Sequence, residues 1–259
     1  GIVTRLVLRL RPMPVSQDMA FIGVNNFSQV TAFLNYVDSA LGGTLSAFEV
    51  LWKDYYRLVT SPPAEASPPI GHGYNYYILL EAMGGDPKAD ANKFVEVLSK
   101  SLEDEVIADA AVAQSQAERD AMWAIRDDVG QTGQNWPIFT FDISVSLNKM
   151  ESYVEELRKD LNNQWADNTC MIFGHLGDGN LHVIVGVGDD STEARKAVAE
   201  TVYRGLTSRG GSISAEHGIG LQKRDYLSWS RSEDEIALMS SIKKTLDPKN
   251  IMNPGKIFV

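Results

Sequence analysis

The chain has 259 residues, of which 44% are hydrophobic and 22% charged, as expected for a globular protein with a sizeable core. Its net charge of -10 argues against a nucleic-acid partner, because phosphate binding requires a basic patch. No run approaches the roughly 18 apolar residues that a membrane span requires, so we predict none. The single cysteine, Cys170, excludes an intrachain disulfide and favours a reducing, cytoplasmic location, and its apolar neighbours predict a buried structural thiol.

Strand and helix periodicities alternate through the first half of the chain. Strands are predicted at 2–10, 19–24, 45–51, 75–82 and 105–111, and helices at 26–41, 53–60, 88–102 and 114–129. Residues 61–69 contain four prolines and predict a loop. The chain begins at Gly1, without a methionine, and runs directly into a strand, which indicates a fragment of a longer protein.

The second half repeats the same rhythm. Strands are predicted at 138–145, 169–174, 180–187 and 211–214, and helices at 147–162, 191–209, 219–229 and 232–246. Because strand–helix–strand units occur in both halves, we predict an α+β fold of ferredoxin-like split β-α-β halves. The halves are expected to form one largely antiparallel sheet with helices packed on it.

The stretch 174–182, Gly-His-Leu-Gly-Asp-Gly-Asn-Leu-His, contains two of the four histidines, one at each end of a glycine-rich turn. A hairpin would bring His175 and His182 side by side and leave both imidazoles free to bind one cation. A pair of hydrogen-bonded histidines explains the spacing equally well, since this separation is not a common zinc pattern.

A second cluster, at 212–220, places Glu216 and His217 at the end of a short predicted strand. Glu216 can complete a set of two histidines and one carboxylate. Neighbouring side chains on an extended segment point opposite ways, so Glu216 and His217 are expected to differ in role unless the backbone turns at Gly218. Three of four histidines at two glycine-rich strand ends favour a site over packing, whereas His72 is interpreted as a loop residue.

Arg126 lies on the predicted helix 114–129 and can clamp a substrate carboxylate through its bidentate fork. From this stretch alone, an exposed arginine paired with Asp127 or Asp128 is the better interpretation.

Four motifs, at 1–12, 174–182, 214–218 and 246–256, follow one another from the first residue to the tail. Together they resemble the C-terminal half of the FAD-linked oxidase family that includes D-lactate, D-2-hydroxyglutarate and glycolate dehydrogenases, within the vanillyl-alcohol oxidase superfamily. The resemblance implies an FAD-dependent dehydrogenase that oxidises a D-2-hydroxy acid to a 2-keto acid.

The resemblance also implies residue roles. His175, His182 and Glu216 would bind a divalent metal, zinc or manganese. His217 would take the hydroxyl proton of the substrate, and Arg126 would hold its carboxylate.

Further implications concern the organisation of the chain. Residues 1–14 would end a flavin-binding domain, 15–229 would form the substrate- and metal-binding cap domain, and 230–259 would return to the flavin, with Asn253 near its ring. FAD would be held by an N-terminal domain that this chain lacks. We therefore expect the chain alone to be inactive, to bind metal weakly or not at all and to hold no FAD.

Asn180 and Thr140 are assigned to substrate binding, but three positions depart from the family pattern. Thr140 stands where many members carry lysine, Ile184 where the hydroxyglutarate type has asparagine, and Gly130 where that type has a hydroxyl residue. Each change removes a polar contact to a distal carboxylate. D-2-hydroxyglutarate is therefore less favoured, lactate-like or bulkier apolar acids are allowed as well, and the sequence leaves the substrate open.

Two other classes of protein remain open from the sequence. One is a flavin-independent metal-dependent hydrolase or lyase that uses the same histidines and carboxylate with a bound water. The other is a non-catalytic ferredoxin-like interaction module. The sequence names neither the electron acceptor nor an interface, although a homo-oligomer is compatible with a ferredoxin-like sheet.

Overall fold

The structure is a computed structural model and describes residues 2–258. The strands are β1 (Ser16–Val24), β2 (Leu45–Trp52), β3 (Tyr76–Gly84), β4 (Asp109–Val112), β5 (Ile138–Ser144), β6 (Thr169–His175) and β7 (Asn180–Gly186). The α-helices are α1 (Phe27–Ala40), α2 (Lys53–Val59), α3 (Pro87–Glu103), α4 (Gln116–Asp127), α5 (Leu147–Gln164), α6 (Thr192–Tyr203) and α7 (Glu233–Leu246). Most predicted elements are present with shifted ends, and the α+β class is confirmed.

All seven strands belong to one antiparallel sheet in the order β4-β1-β3-β2-β6-β7-β5. The first four strands, with α1 and α3, form one ferredoxin-like unit. The second unit contains β5, β6 and β7, and its fourth strand is reduced to a single bridge between Ser144 and Ser212. The units join edge to edge where β2 pairs with β6, which places Glu49 opposite His175. The predicted shared sheet of two split β-α-β halves is therefore confirmed.

The two faces of the sheet are covered differently. Helices α1, α3, α5 and α6 bury the larger core, which includes Phe33, Phe94 and Leu157. Helices α2 and α4 cover the other face with a smaller core rich in tyrosine and phenylalanine. Because alternate residues of a strand face opposite sides, each strand contributes to both cores.

Helix α4 carries Arg126 in its last turn, so the ends of this helix matter for the site. Ser115 caps its first turn by accepting a hydrogen bond from the Glu118 N–H. The helix ends at Asp127, and a 3-10 helix over Val129–Asn135 leads to β5. Among the described residues, none of the helices is both long and apolar enough for a membrane crossing.

The predicted strand at 2–10 is wrong. Residues 2–14 have no regular secondary structure and their side chains are exposed, with Val7 fully so. A strand requires a neighbour to satisfy its backbone hydrogen bonds, and none of the seven described strands pairs with this segment.

Three further differences follow β7, and glycines explain two of them. The predicted helix 191–209 ends at Tyr203, because Gly205 and Gly210 have positive φ angles of 73° and 68°. The predicted helix at 219–229 begins late, as a 3-10 helix over Arg224–Trp229, after Gly218 and Gly220 also take positive φ. The predicted strand at 211–214 amounts only to the single bridge described above.

Candidate functional site

Polar side chains gather where the two ferredoxin-like units meet, on the sheet face covered by α2 and α4. Glu49 of β2 is opposite His175 of β6, and Asp142 of β5 is opposite His182 of β7. Paired residues project to the same face, and Phe173, two residues before His175, is paired with His182. All four polar side chains therefore share one surface.

The turn between β6 and β7 brings the two histidines together, as the sequence predicted. A 3-10 helix at Leu176–Asp178 and a left-handed Gly179, with φ of 77°, close the hairpin. At Gly174, a Cβ would lie 2.3 Å from the Asn180 carbonyl oxygen, so only glycine allows the close approach. The His175 and His182 ring centroids are 5.4 Å apart.

Glu216 reaches both rings from the segment after the Ser144–Ser212 bridge. Its Oε1 lies 3.8 Å from His175 Nε2, and its Oε2 lies 4.0 Å from His182 Nε2. One donor atom from each residue falls within 4.8 Å of the others. Two ligands of one zinc ion, each bonded at about 2.1 Å, lie at most about 4.2 Å apart. Two imidazole nitrogens and a carboxylate oxygen at these separations fit a divalent metal after a small inward movement.

Glu49 lies behind His175, between it and Arg126. Its Oε1 is 2.5 Å from His175 Nδ1, and its Oε2 accepts a hydrogen bond of 2.9 Å from Arg126 Nε. Burial by itself raises the pKa of Glu49, but the His175 hydrogen bond and the Arg126 charge outweigh it and leave the pKa lowered. The hydrogen bond to Glu49 raises the pKa of His175. Glu49 was not predicted, and its only signal is a carboxylate inside the apolar run 48–52.

The Arg126 side chain is 13% exposed, so the predicted exposed pair with Asp127 is only part of its environment. Its Nη1 does contact Asp127 Oδ1 at 3.1 Å, while Nη2 lies 3.0 Å from His175 Nε2. The guanidinium also lies over the Phe173 ring, at 5.2 Å from the centroid. Arg126 therefore belongs to the histidine cluster.

Asp142 organises the opposite side of the cluster. Its buried carboxylate accepts hydrogen bonds from the N–H groups of Glu216 at 3.0 Å and His217 at 2.8 Å. Lys223 Nζ lies 3.4 Å from Asp142 Oδ2, the oxygen that accepts both of these hydrogen bonds. It also donates to Ser214 Oγ at 3.0 Å. Burial raises the pKa of Asp142, but the two backbone N–H groups together with the Lys223 charge outweigh it, and the net shift is downward. Neither Asp142 nor Lys223 was predicted as a site residue.

Glu216 and His217 diverge, as their adjacent positions predicted. The His217 side chain is 66% exposed; its Nδ1 is 3.8 Å from Asp142 Oδ2. Its ring centroid is 6.3 Å from that of His182. Burial, with the charges of Arg126 and His175, lowers the pKa of His182. An exposed imidazole thus stands beside a half-buried one.

Asn180 and Thr140 differ in burial. Asn180 is 1% exposed, and neither amide atom has a hydrogen-bond partner among the described residues. By strand alternation it shares a face with His182. An unpaired buried amide is costly, which makes Asn180 a candidate ligand contact. Thr140 is exposed on the same face of β5 as Asp142 and pairs with the buried Ile184.

Asn253 is not brought to the histidine cluster. It lies in the tail and lines a separate cavity of about 530 Å³ beside the end of α7. The tail contacts the segment that follows His217, because the Ile257 N–H donates to the Gly220 carbonyl. His72 is hydrogen-bonded to Thr60, away from the cluster, as expected of a loop residue.

Two edge-joined ferredoxin-like units form a fold that also occurs in proteins of known structure. The fold is similar to that of 4-ethylphenol oxidase from Gulosibacter chungangensis, with a TM-score of 0.65 over 97% of this chain and 55% of that chain. The identity is 15%, so this likeness concerns the fold alone. A family model described as "FAD linked oxidases, C-terminal domain" matches residues 13–257, and the chain belongs to this family.

Full-length relatives agree with this membership. The chain is 34% identical over 258 residues to the mitochondrial D-2-hydroxyglutarate dehydrogenase of Arabidopsis thaliana, covering 99% of this chain and 46% of the relative. It is 30% identical over 263 residues to the D-2-hydroxyglutarate dehydrogenase of Stutzerimonas stutzeri (strain A1501), covering 100% of this chain and 56% of the relative. The chain spans about half the length of the curated relatives it matches.

Proposed function

We propose that this chain is the substrate- and metal-binding portion of an FAD-dependent dehydrogenase that oxidises a D-2-hydroxy acid to a 2-keto acid. The observation that carries the proposal is the convergence of His175, His182 and Glu216 beside the guanidinium of Arg126. Family membership and the names of the relatives support the reaction class.

Each side chain has a proposed role. His175, His182 and Glu216 hold a divalent metal, zinc or manganese, which when bound lowers the pKa of a substrate hydroxyl. Arg126 binds the substrate carboxylate through its fork. His217 takes the hydroxyl proton, and its exposed ring is free to reach a substrate. FAD supplies the hydride acceptor.

The flavin belongs to a second domain in this proposal. Residues 1–14 end that domain, 15–229 form the cap, and 230–259 return to the flavin with Asn253 near the ring. Apolar residues of 2–10 are exposed, and so are Leu238, Ile242 and Leu246, which form a stripe along α7. Both surfaces suit burial against another domain.

Within the D-2-hydroxy acids, two observations favour different substrates. The relatives named above are D-2-hydroxyglutarate dehydrogenases. Ile184, by contrast, is buried and apolar, and offers nothing to a second carboxylate. Comparing kcat/KM for D-2-hydroxyglutarate and D-lactate decides between them. The cytoplasmic location stays a prediction.

The test of the metal site compares two histidine variants in the flavin-containing protein. His175→Ala is expected to lose the bound zinc or manganese and most of the dehydrogenase activity, whereas His72→Ala keeps both. Metal content and hydroxy-acid oxidation are the measurements. Unchanged metal in His175→Ala would instead support the non-catalytic module. Turnover without flavin would support the hydrolase or lyase.

A further inference from the structure

We infer that Glu49 is a positioning residue that fixes the tautomer of His175 and holds Arg126 beside it. One carboxylate would thereby orient both a metal ligand and the substrate clamp. The contacts of Glu49 with His175 and Arg126 do not depend on the proposed function. Only their effect on metal binding rests on it.

The neighbours of His175 determine which ring nitrogen carries the proton. Nδ1 lies 2.5 Å from Glu49 Oε1, and an ionised carboxylate can only accept. Nε2 lies 3.0 Å from Arg126 Nη2, and a guanidinium can only donate. In the neutral ring, Nδ1 must therefore donate and Nε2 must accept from Arg126, so a metal bound at Nε2 would take the place of the Arg126 Nη2 contact. Nε2 is also the atom that faces Glu216.

Glu49 divides its two oxygens between the two partners. Oε1 accepts from His175 and Oε2 accepts from Arg126 Nε. The residue is only 4% exposed, and its strand is paired on both sides, to β3 and to β6. Its position is therefore rigid, and a substitute without two acceptor atoms cannot hold both groups.

A carboxylate behind a histidine ligand fixes ring orientation and raises its basicity, and loss of such a partner typically lowers metal affinity about 10–100-fold. We therefore expect Glu49→Leu to weaken metal binding without removing any proposed ligand.

Glu81 offers a matched control on the same sheet face. It is 3% exposed, and its carboxylate accepts hydrogen bonds from Gln17, Ser46 and Trp123. Glu81→Leu therefore removes an equally buried carboxylate without removing a contact of His175.

The experiment uses the 259-residue chain, whose four histidines give a simple ¹⁵N spectrum. Near pH 9, where imidazoles are largely neutral, ¹⁵N chemical shifts of the unmutated chain should show His175 protonated at Nδ1. Glu49→Leu should lose that preference. In the flavin-containing protein, Glu49→Leu should also raise the Mn²⁺ dissociation constant, measured by EPR, about 10-fold or more. Glu81→Leu should change neither. Circular dichroism confirms that the variants are folded.

Three results would overturn the inference. His175 protonated at Nε2 in the unmutated chain would do so, and it needs no variant to fold. The same His175 tautomer in Glu49→Leu and Glu81→Leu would show that Glu49 does not determine which ring nitrogen is protonated. Equal Mn²⁺ constants in the two variants would remove its role in metal binding. If the unmutated chain shows the Nδ1 proton but the flavin-containing protein binds no Mn²⁺, the tautomer assignment holds and the proposed metal site fails.

Discussion

The two buried carboxylates of the site, Glu49 and Asp142, make a useful comparison. They come from different ferredoxin-like units and project from the same sheet face. Glu49 binds side chains, namely the His175 ring and the Arg126 guanidinium. Asp142 binds mainly backbone, through the N–H groups of Glu216 and His217.

The difference separates two ways to build a site. Side-chain donors can change their protonation and their orientation. Glu49 therefore acts on the protonation of the His175 ring and on the orientation of His175 and Arg126. Every residue except proline has the same backbone N–H donor, so Asp142 can place a segment that lacks regular structure. Lys223 completes the second arrangement, because its ammonium donates to the Asp142 carbonyl at 3.0 Å. One carboxylate adjusts two functional groups and the other holds a loop.

The largest effect should come from Asp142→Ala. It removes a nearly inaccessible carboxylate and leaves the Lys223 ammonium, itself 10% exposed, without its ion-pair partner. We expect a loss of about 3–5 kcal/mol in the free energy of unfolding, measured with urea. Adding Lys223→Met should restore part of that loss. No recovery in the double variant would show that the ion pair is not the reason.

Glu49→Leu should destabilise the fold less, by about 1–3 kcal/mol in the same urea assay. Arg126 keeps its contacts with Asp127 and the Phe173 ring, and His175 is partly exposed, so no bare charge is buried. A loss larger than that of Asp142→Ala would contradict the distinction between the two carboxylates.

Gly179→Ala tests the hairpin that brings His175 and His182 together between the two carboxylates. Gly179 has φ of 77°, and a Cβ would lie 2.8 Å from the Val145 carbonyl oxygen. We expect Gly179→Ala to lower the free energy of unfolding by about 1–2 kcal/mol. Gly177→Ala is the control, since nothing lies within 4 Å of its Cβ position. Equal unfolding curves for the two variants would contradict this account.

The smallest effect concerns Cys170, at the end of β6 away from His175. Burial raises the pKa of its thiol to about 11. The thiolate is the reactive form, so we expect negligible labelling by a thiol reagent near pH 8 in the folded chain and prompt labelling in urea. Fast labelling of the folded chain would show that the thiol of Cys170 is accessible to solvent, which would contradict its buried position in the structure.

The sequence predicted the elements with strong periodicity and the residues with unusual chemistry. Alternating strands and helices indicated the split β-α-β halves, and glycine-flanked histidines indicated His175, His182 and Glu216. It predicted too much regular structure at two places. Residues 2–10 lack a neighbouring strand among the described residues, and positive φ angles at glycines delay the helix after Gly218. Backbone angles and strand pairing at those places depend on distant contacts.

What the sequence alone determined is the family, the α+β pattern and the identity of the metal-ligand candidates, because these depend on local spacing and residue type. Only the tertiary structure decided that β2 meets β6 and that Glu49 therefore faces His175, 126 positions away in the chain. The same holds for Asp142, whose partners lie 74 and 75 residues further on. The residues next to an isolated acid in a strand do not indicate which distant side chain it will contact. Long-range strand pairing alone brings the two together.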